Sequence, residues 1–228
     1  MNTRKARISV IIPALNEQGS IGLVIKDIPK SLVDEVIVVD NGSTDDTAHI
    51  ARDAGARVVR EPVRGYGAAC LKGIASVTSP DIIVFLDGDY SDFPKEIAQL
   101  IEPIIQGTAD LVVGSRLMGG DGKEVLLPHA YWGNKFATWL IHLLYRHRYT
   151  DLGPFRAIRF SALQKLNMQD KNFGWTVEMQ IKAVRNGLAI KEIPVRYRQR
   201  IGKSKITGTI AGTIKAGAKI IYSIMAYR

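Results

Sequence analysis

Three observations place this 228-residue sequence in the α/β class, as an open parallel sheet covered by helices on both faces. Its first 115 residues alternate short apolar runs with amphipathic segments, the runs are apolar nearly throughout, and polar side chains gather directly after them. Residues 8–13, 35–40, 81–87 and 110–114 read as strands. Between the second and third of these, Ser43 and Asp46 have the spacing of a capping box, and Gly55 is placed to stop the helix they would open. A further helix opens at Pro94, where a missing N–H costs nothing, and ends near Gly107. Beyond residue 115 the pattern changes. A glycine-rich stretch, 118–122, leads to an aromatic and basic helical segment, 131–149. A helix over 175–186 is closed by Gly187. Ile193, Val195 and Tyr197 then alternate with Glu192, Arg196 and Arg198 in a strand that Pro194 assigns to an edge. The final segment, 206–227, has apolar residues at helical spacing, and Gly208, Gly212 and Gly217 weaken it as an autonomous helix. No linker, repeat or low-complexity tract divides the chain, so a single domain is expected.

Composition excludes several classes. The chain is 46% hydrophobic and 23% charged, which rules out disorder and collagen-like or bare coiled-coil architectures. Its one cysteine, Cys70, permits no intrachain disulfide and no thiolate zinc cluster, and the four histidines lack metal-ligand spacing. The basic start followed by residues 8–12 imitates a signal peptide but is cut short by Pro13, Asn16 and Glu17, and no run of about 18 apolar residues is present to span a bilayer. The net charge of +9 is unevenly spread: residues 1–114 carry 11 Lys and Arg against 16 Asp and Glu, while residues 115–228 carry 20 against 6. The first half can hold a cation, and the second attracts anions such as phosphorylated ligands, acidic lipid or nucleic acid.

Because open α/β sheets bind ligands beyond the carboxyl ends of their strands, chemistry is sought at 13–17, 40–44 and 87–92. The sharpest signal is Phe85-Leu86-Asp87-Gly88-Asp89. Two carboxylates at i and i+2 after an apolar strand project to one side, Gly88 admits a ligand to the backbone, and oxygen donors of this kind suit Mg²⁺ or Mn²⁺ shared with substrate phosphates. Asp and Gly also form ordinary turns, but two further polar strand ends favour a site. Asp40, at the tip of the second strand, is placed to accept hydrogen bonds from a base or ribose, and the helix after it offers free N–H groups. Gly65-Tyr66-Gly67-Ala68-Ala69 partly imitates a dinucleotide fingerprint but follows no first strand, which argues against a redox cofactor.

Six motifs in order, Ile11-Ile-Pro-Ala-Leu-Asn-Glu17, Val38-Val-Asp-Asn-Gly-Ser-Thr-Asp-Asp-Thr47, Gly65-Tyr-Gly-Ala-Ala69, Asp87-Gly-Asp89, Gly114-Ser-Arg116 and Gly202-Lys-Ser-Lys-Ile206, resemble the family-2 glycosyltransferases. The branch most resembled is that of the polyprenyl-phosphate, dolichyl-phosphate mannose synthase-like sugar transferases, over residues 8–220. The resemblance implies a GT-A-type, Rossmann-like, mostly parallel sheet, with a nucleotide-sugar-binding half (1–120) and a basic acceptor-side half (121–228). It implies that Pro13, Ala14 and Glu17 line a nucleotide pocket, that Asp40 meets the base, and that Asp87, Gly88 and Asp89 hold a metal and the donor. It further implies that Arg116 approaches a diphosphate or acceptor phosphate, and that Lys205 clamps phosphates together with Arg198 or Arg200. Where the branch often has Gln, two residues after the second aspartate, this chain has Ser91.

The expected reaction is inverting, metal-dependent transfer of a hexose from a UDP- or GDP-linked donor to a polyprenyl phosphate at the cytoplasmic membrane face, in cell-envelope glycan synthesis. An acceptor phosphate is already ionised and needs positioning and charge neutralisation, whereas a hydroxyl acceptor needs a general base. For that alternative Glu178 is the first candidate base and Asp92 the second, with a solvated helical face as the bland reading of Glu178. The Gln-Xaa-Xaa-Arg-Trp signature of processive synthases is absent from the sequence. Trp132, Phe136, Trp139, Leu140, Leu143 and Leu144 fall at helical spacing with Arg146 and Arg148 at the end, which suits a helix in a membrane interface or one packed on a core or second subunit, as in a homodimer. A sugar-1-phosphate nucleotidyltransferase is disfavoured because 13–17 lacks a glycine-rich, basic loop. A nucleic-acid-binding module would leave three polar strand ends without purpose, so no nucleic-acid partner is expected.

Overall fold

The computed structural model describes residues 5–202 and 210–227. In chain order the elements are β1 (Ile8–Ala14), α1 (Ile21–Asp27), β2 (Glu35–Asp40), α2 (Thr47–Asp53), β3 (Arg57–Arg60), α3 (Tyr66–Ser76) and β4 (Ile82–Phe85). A 3₁₀ turn at Pro94–Glu96 runs into α4 (Ile97–Ile105), followed by β5 (Leu111–Ser115), α5 (Arg116–Gly119), α6 (Asp121–Val125) and α7 (Pro128–Tyr145). The chain ends in β6 (Arg156–Arg159), α8 (Phe160–Leu166), α9 (Trp175–Arg185), β7 (Ile190–Pro194) and α10 (Ile210–Ala226).

The seven strands form one sheet in the order β3-β2-β1-β4-β6-β5-β7. Pairing is parallel except for β6, which runs antiparallel to both neighbours. Both faces are apolar because alternate residues of each central strand point to opposite sides. Val10, Ile12, Ile82 and Val84 enter one core with α1 and α4, and Ile11, Ile83 and Phe85 enter the other with α3, α8 and α9. Fully burying one such side chain contributes about 1.5–3 kcal/mol. The expected α/β architecture with helices on both faces is therefore present. A third cluster, including Ala137, Ile141, Val177, Ile181 and Ile224, joins α7, α9 and α10.

Two strands escaped the sequence pattern. Arg57–Arg60 has only two apolar residues and lies at an exposed sheet edge, and Arg156–Arg159 begins with an arginine that is fully buried, against the ordinary preference for apolar residues there. The capping box also fails to form. The Ser43 hydroxyl accepts from Asn16 N at 3.0 Å, tying the β2 turn to the β1 turn, and α2 starts at Thr47 with no side-chain cap from Asp46. Gly55 and Gly187 do stop their helices, at φ +93° and +63°, where a side chain is strained. Pro194 lies in an edge strand, as its missing N–H suits, but that strand is Ile190–Pro194, so the expected continuation through Val195 and Tyr197 is not part of it, and Tyr197 forms only an isolated bridge. The first part of the expected carboxyl-terminal helix, residues 206–209, lies outside the described residues.

Candidate active site

The strand order turns at β1, whose successor β2 lies on one side while β4 lies on the other, and a crevice opens there at the carboxyl ends of the strands. It is a cleft of about 280 Å³ whose lining includes Pro13, Ala14 and Glu17 after β1, Asp87, Gly88 and Asp89 after β4, and Arg200 from the carboxyl-terminal half. Asn41, Arg64, Tyr66, Asn172 and Phe173 also contribute to its walls.

Asp87 sits at the floor, where Tyr66 Oη donates to its Oδ1 at 3.0 Å. Burial, then repulsion from Asp89, push its carboxyl up to about 7. Asp89 is more committed: Oδ1 accepts from Ser91 N at 2.9 Å and from the Ser91 hydroxyl at 2.6 Å, and Oδ2 faces Arg200 Nη1 at 3.1 Å. Ser91 thus orients the second aspartate. Among the described residues no group of three or more Asp, Glu, His or Cys forms a metal-binding cluster. Two crowded carboxylates, one of them kept from full ionisation by burial and then by its neighbour, are a donor set that fits a hard divalent cation taking its remaining ligands from phosphate and water. Gly88 is not demanded by packing, since a Cβ there would meet Ile12 and Ile21 at an ordinary 3.5 Å.

Segment 197–201 lies against 89–92. Tyr197 and Asp92 form an antiparallel bridge, Arg198 N donates to Ser91 O at 3.0 Å, and Ile201 N donates to Asp89 O at 2.9 Å. This distinguishes the two arginines that the sequence left open. Arg198 is spent on structure: its guanidinium lies 3.3 Å from the Tyr90 ring centroid and donates to Tyr90 O and Asp92 O. Arg200 reaches into the cleft, where Nη2 stands 3.2 Å from Glu17 Oε1 while Nη1 meets Asp89.

Other expected residues are placed differently. The Asp40 carboxylate accepts from Ser43 N at 2.8 Å and is absent from the cleft lining, where the next residue, Asn41, stands instead. Asn41 donates to Glu61 O and Val63 O and accepts from Gly65 N, stitching the loop after β3 to the strand tip. Arg116 also lies outside the cleft, held by Asp151 through Nε at 2.8 Å and Nη2 at 2.7 Å, with its guanidinium 5.1 Å from the Tyr197 ring centroid. Glu178 is corrected on both readings: it is neither a free base nor a solvated side chain. It is fully buried, accepts from Gln169 N and Asp170 N at 2.8 Å each, and pairs with Lys182 Nζ at 2.6 Å. Asp92 is 1% exposed, with both carboxyl oxygens lacking a hydrogen-bond partner, and burial followed by Asp87 and Asp89 raises it well above the usual carboxylate range. Lys205 lies outside the described residues.

Asp151 and the loop residues Asn172 and Phe173 gave no sequence signal, because none follows a recognisable strand. Arg156, fully buried beneath the site, donates to Thr176 O and Gly153 O. On the outer surface, α7 buries Asn134, Ala137, Thr138 and Ile141 and leaves Trp132, Phe136, Trp139 and Leu143 exposed at 49–69%. Those four therefore do not pack on the core, while Leu140 and Leu144 do. No helix among the described residues is long and apolar enough to cross a membrane.

The sequence matches the model of glycosyl transferase family 2 over residues 9–166. An uncharacterized glycosyltransferase of Mycobacterium tuberculosis (strain H37Rv) is 35% identical over 214 residues, covering 92% of this chain and 94% of the relative. The low-salt glycan biosynthesis hexosyltransferase Agl6 of Haloferax volcanii is 31% identical over 206 residues, 87% of this chain and 49% of its own. Among solved structures, glucosyl-3-phosphoglycerate synthase of M. tuberculosis in complex with Mn²⁺, uridine diphosphate and phosphoglyceric acid aligns at TM-score 0.80 and 27% identity, over 97% of this chain and 78% of that one. The same synthase with Mg²⁺ and uridine diphosphate aligns at TM-score 0.74 and 27% identity, over 97% and 79%. A GT-A sheet with two acidic side chains beyond β4, a family model matched across most of the chain and relatives above 30% identity lead to one conclusion: this protein belongs to glycosyl transferase family 2 and is a nucleotide-sugar glycosyltransferase.

Proposed function

We propose that the enzyme transfers a hexose, with inversion, from a nucleotide diphosphate-sugar to a polyprenyl phosphate at the cytoplasmic face of a membrane. The observation that carries this reading is the convergence of Asp87, Asp89 and Arg200 in a cleft whose remaining carboxylate among the described lining residues, Glu17, is paired with Arg200. Glu178 is locked to backbone amides, and Asp92 is sealed outside the cleft lining. An acceptor oxygen that arrives ionised needs no base, and a phosphate meets that condition.

Asp87 and Asp89 would hold Mg²⁺ or Mn²⁺, which supplies neutralisation of charge on the departing diphosphate. Pro13, Ala14 and Glu17 form the wall against which the nucleotide rests, and Tyr66 and Ser91 fix the two aspartates in place through their hydroxyls. Arg200 brings a permanent positive charge to the same space, where diphosphate oxygens compete with Glu17 and Asp89 for it. The acceptor phosphate oxygen attacks the anomeric carbon as its bond to the diphosphate oxygen breaks. Arg116, Arg198 and Lys205 would have supporting parts: Arg116 and Arg198 would shape the acceptor side, and Lys205, from its motif in the sequence, would add a further phosphate contact.

Uridine diphosphate sugars are the first donors to test, since the aligned synthases bind uridine diphosphate. With Mn²⁺ present, UDP- or GDP-hexose is expected to raise the unfolding temperature, and the same donor is expected to label undecaprenyl or dolichyl phosphate in a detergent assay. Labelling of a hydroxyl acceptor with loss of turnover in Asp92→Asn would replace this reading by the hydroxyl alternative.

Membrane association is supported by the exposed Trp132, Phe136, Trp139 and Leu143 stripe beside Arg146 and Arg148, an amphipathic arrangement suited to an anionic lipid surface. Flotation with phosphatidylglycerol vesicles is expected to carry the wild-type protein upward and to leave a Trp132→Ser, Phe136→Ser, Trp139→Ser variant at the bottom, with donor binding retained. A change of mass from dimer to monomer in that variant, without vesicle binding by the wild type, would assign the stripe to a second copy.

A further inference from the structure

The loop from Gln169 to Gly174, between α8 and α9, forms one wall of the cleft through Asn172 and Phe173. Three neighbours hold it. Glu178 accepts from Gln169 N and Asp170 N on the α9 side. On the α3 side, Ala68 N donates to Lys171 O at 2.9 Å, and the backbones approach so closely that a Cβ at Gly67 would collide with Asp170 O and one at Gly65 with Lys171 O. This explains the Gly65-Tyr66-Gly67 pattern without any dinucleotide.

The third neighbour is α10. Its Lys219 Nζ lies 2.8 Å from Asp170 Oδ2, and its Ser223 Oγ presses on Gly174 so closely that a Cβ there would collide with it. Asp170 is the focus of these contacts. Its side chain is 2% exposed, and while Oδ2 faces Lys219, Oδ1 accepts from Asn172 N at 2.7 Å and Gly174 N at 3.2 Å. One carboxylate therefore clasps the turn that presents Asn172 and Phe173 through Oδ1, and its Oδ2 is anchored to a helix absent from the cleft lining.

We propose that Lys219 is a positioning residue for the donor cleft: through its ion pair with Asp170, the seating of α10 on α9 sets the wall formed by residues 170–174 and with it the affinity for the nucleotide. The proposal rests on the reading of this cleft as the donor site. A helix with Ile221, Tyr222 and Met225 exposed on its outer side is thereby linked to the site at its inner side.

The test is calorimetric titration of UDP, or GDP if that is the nucleotide bound, with Mn²⁺ into wild-type, Lys219→Met, Lys219→Arg and Gly174→Ala proteins, alongside donor KM and kcat. Lys219→Met is expected to weaken nucleotide binding and raise donor KM by about tenfold with kcat at saturation within about twofold, Lys219→Arg to restore most of the affinity, and Gly174→Ala to repeat the loss. A lower unfolding temperature with unchanged nucleotide affinity in Lys219→Met would show that the pair only stabilises the fold, and would overturn the proposal alone. Failure of the wild-type protein to bind either nucleotide would overturn the donor-site reading and the proposal with it.

Discussion

Replacing Asp87 with asparagine is expected to lower sugar transfer by about a thousandfold and, at the same time, to raise the unfolding temperature of the metal-free protein at pH 8 by about 10 °C. The first effect follows from the loss of one of the paired carboxylates placed to hold a divalent ion, since removing a group aimed at developing charge costs about 10²–10³ in rate and losing the ion costs more. The second follows from linkage. Burial and the nearby Asp89 raise the folded-state pKa of Asp87 from 3.8 to about 7. Between those values the folded protein binds more protons than the unfolded chain, so stability is present below pH 4 and is lost as pH rises through the window to about 7. By pH 8 the ionised side chain costs up to ~4 kcal/mol at 1.36 kcal/mol per unit. Asparagine removes the charge and keeps an oxygen for the Tyr66 hydroxyl. A chain of this size gains about 2–4 °C for each kcal/mol recovered. Thermal melts of both proteins at pH 5 and pH 8, without added metal, check the sign: the gain should shrink markedly at pH 5. An equal or lower melting temperature for the variant at pH 8 would refute the argument.

The second large effect is on Glu178. Substitution by alanine should destabilise the protein by about 3–5 kcal/mol, because it removes the acceptor of two backbone amides, those of Gln169 and the buried Asp170, and the carboxylate partner of Lys182, which is left with Asn167 O. A drop of about 10 °C in unfolding temperature is expected. Glutamine, which keeps one accepting oxygen, should lose roughly half as much. A catalytic base would behave in the opposite way, with kcat falling steeply in the Glu178→Gln protein and its melting temperature unchanged. Melting curves and donor-saturated rates on the same two variants separate these outcomes.

These two residues also mark how far the sequence reaches. Asp87 and Asp89 could be read directly, because an apolar strand must end somewhere and its end in an α/β sheet faces a ligand crevice. The role of Glu178 could not, because a carboxylate on a helix looks the same whether water or a turn of backbone lies above it. Here the amides come from residues 169 and 170, which precede the helix and contain no pattern that announces their path. Arg200 had a motif nearby, yet only the bridge between Tyr197 and Asp92 fixes which of two arginines crosses to the aspartates. Arg116 was read as a phosphate contact, and its pairing with Asp151 had no precedent in spacing, since 35 residues separate the two. The strands of four residues with charged ends were missed for a related reason: their stability comes from neighbours on either side, whereas the alternation of the longer strands is written into each one.

The antiparallel strand β6 governs how this protein can be made. It lies between β4 and β5, so those two strands are never adjacent although they are consecutive in the chain. A ribosome that has released the first 115 residues has therefore released a four-stranded piece of sheet, β3-β2-β1-β4, and a lone strand, β5, with a gap between them, and both leave unpaired edges open to other chains. Only when residues 156–159 emerge can the gap be filled. The amino-terminal half should accordingly aggregate when expressed alone, and a chain cut between the halves should regain its sheet only when both pieces are refolded together.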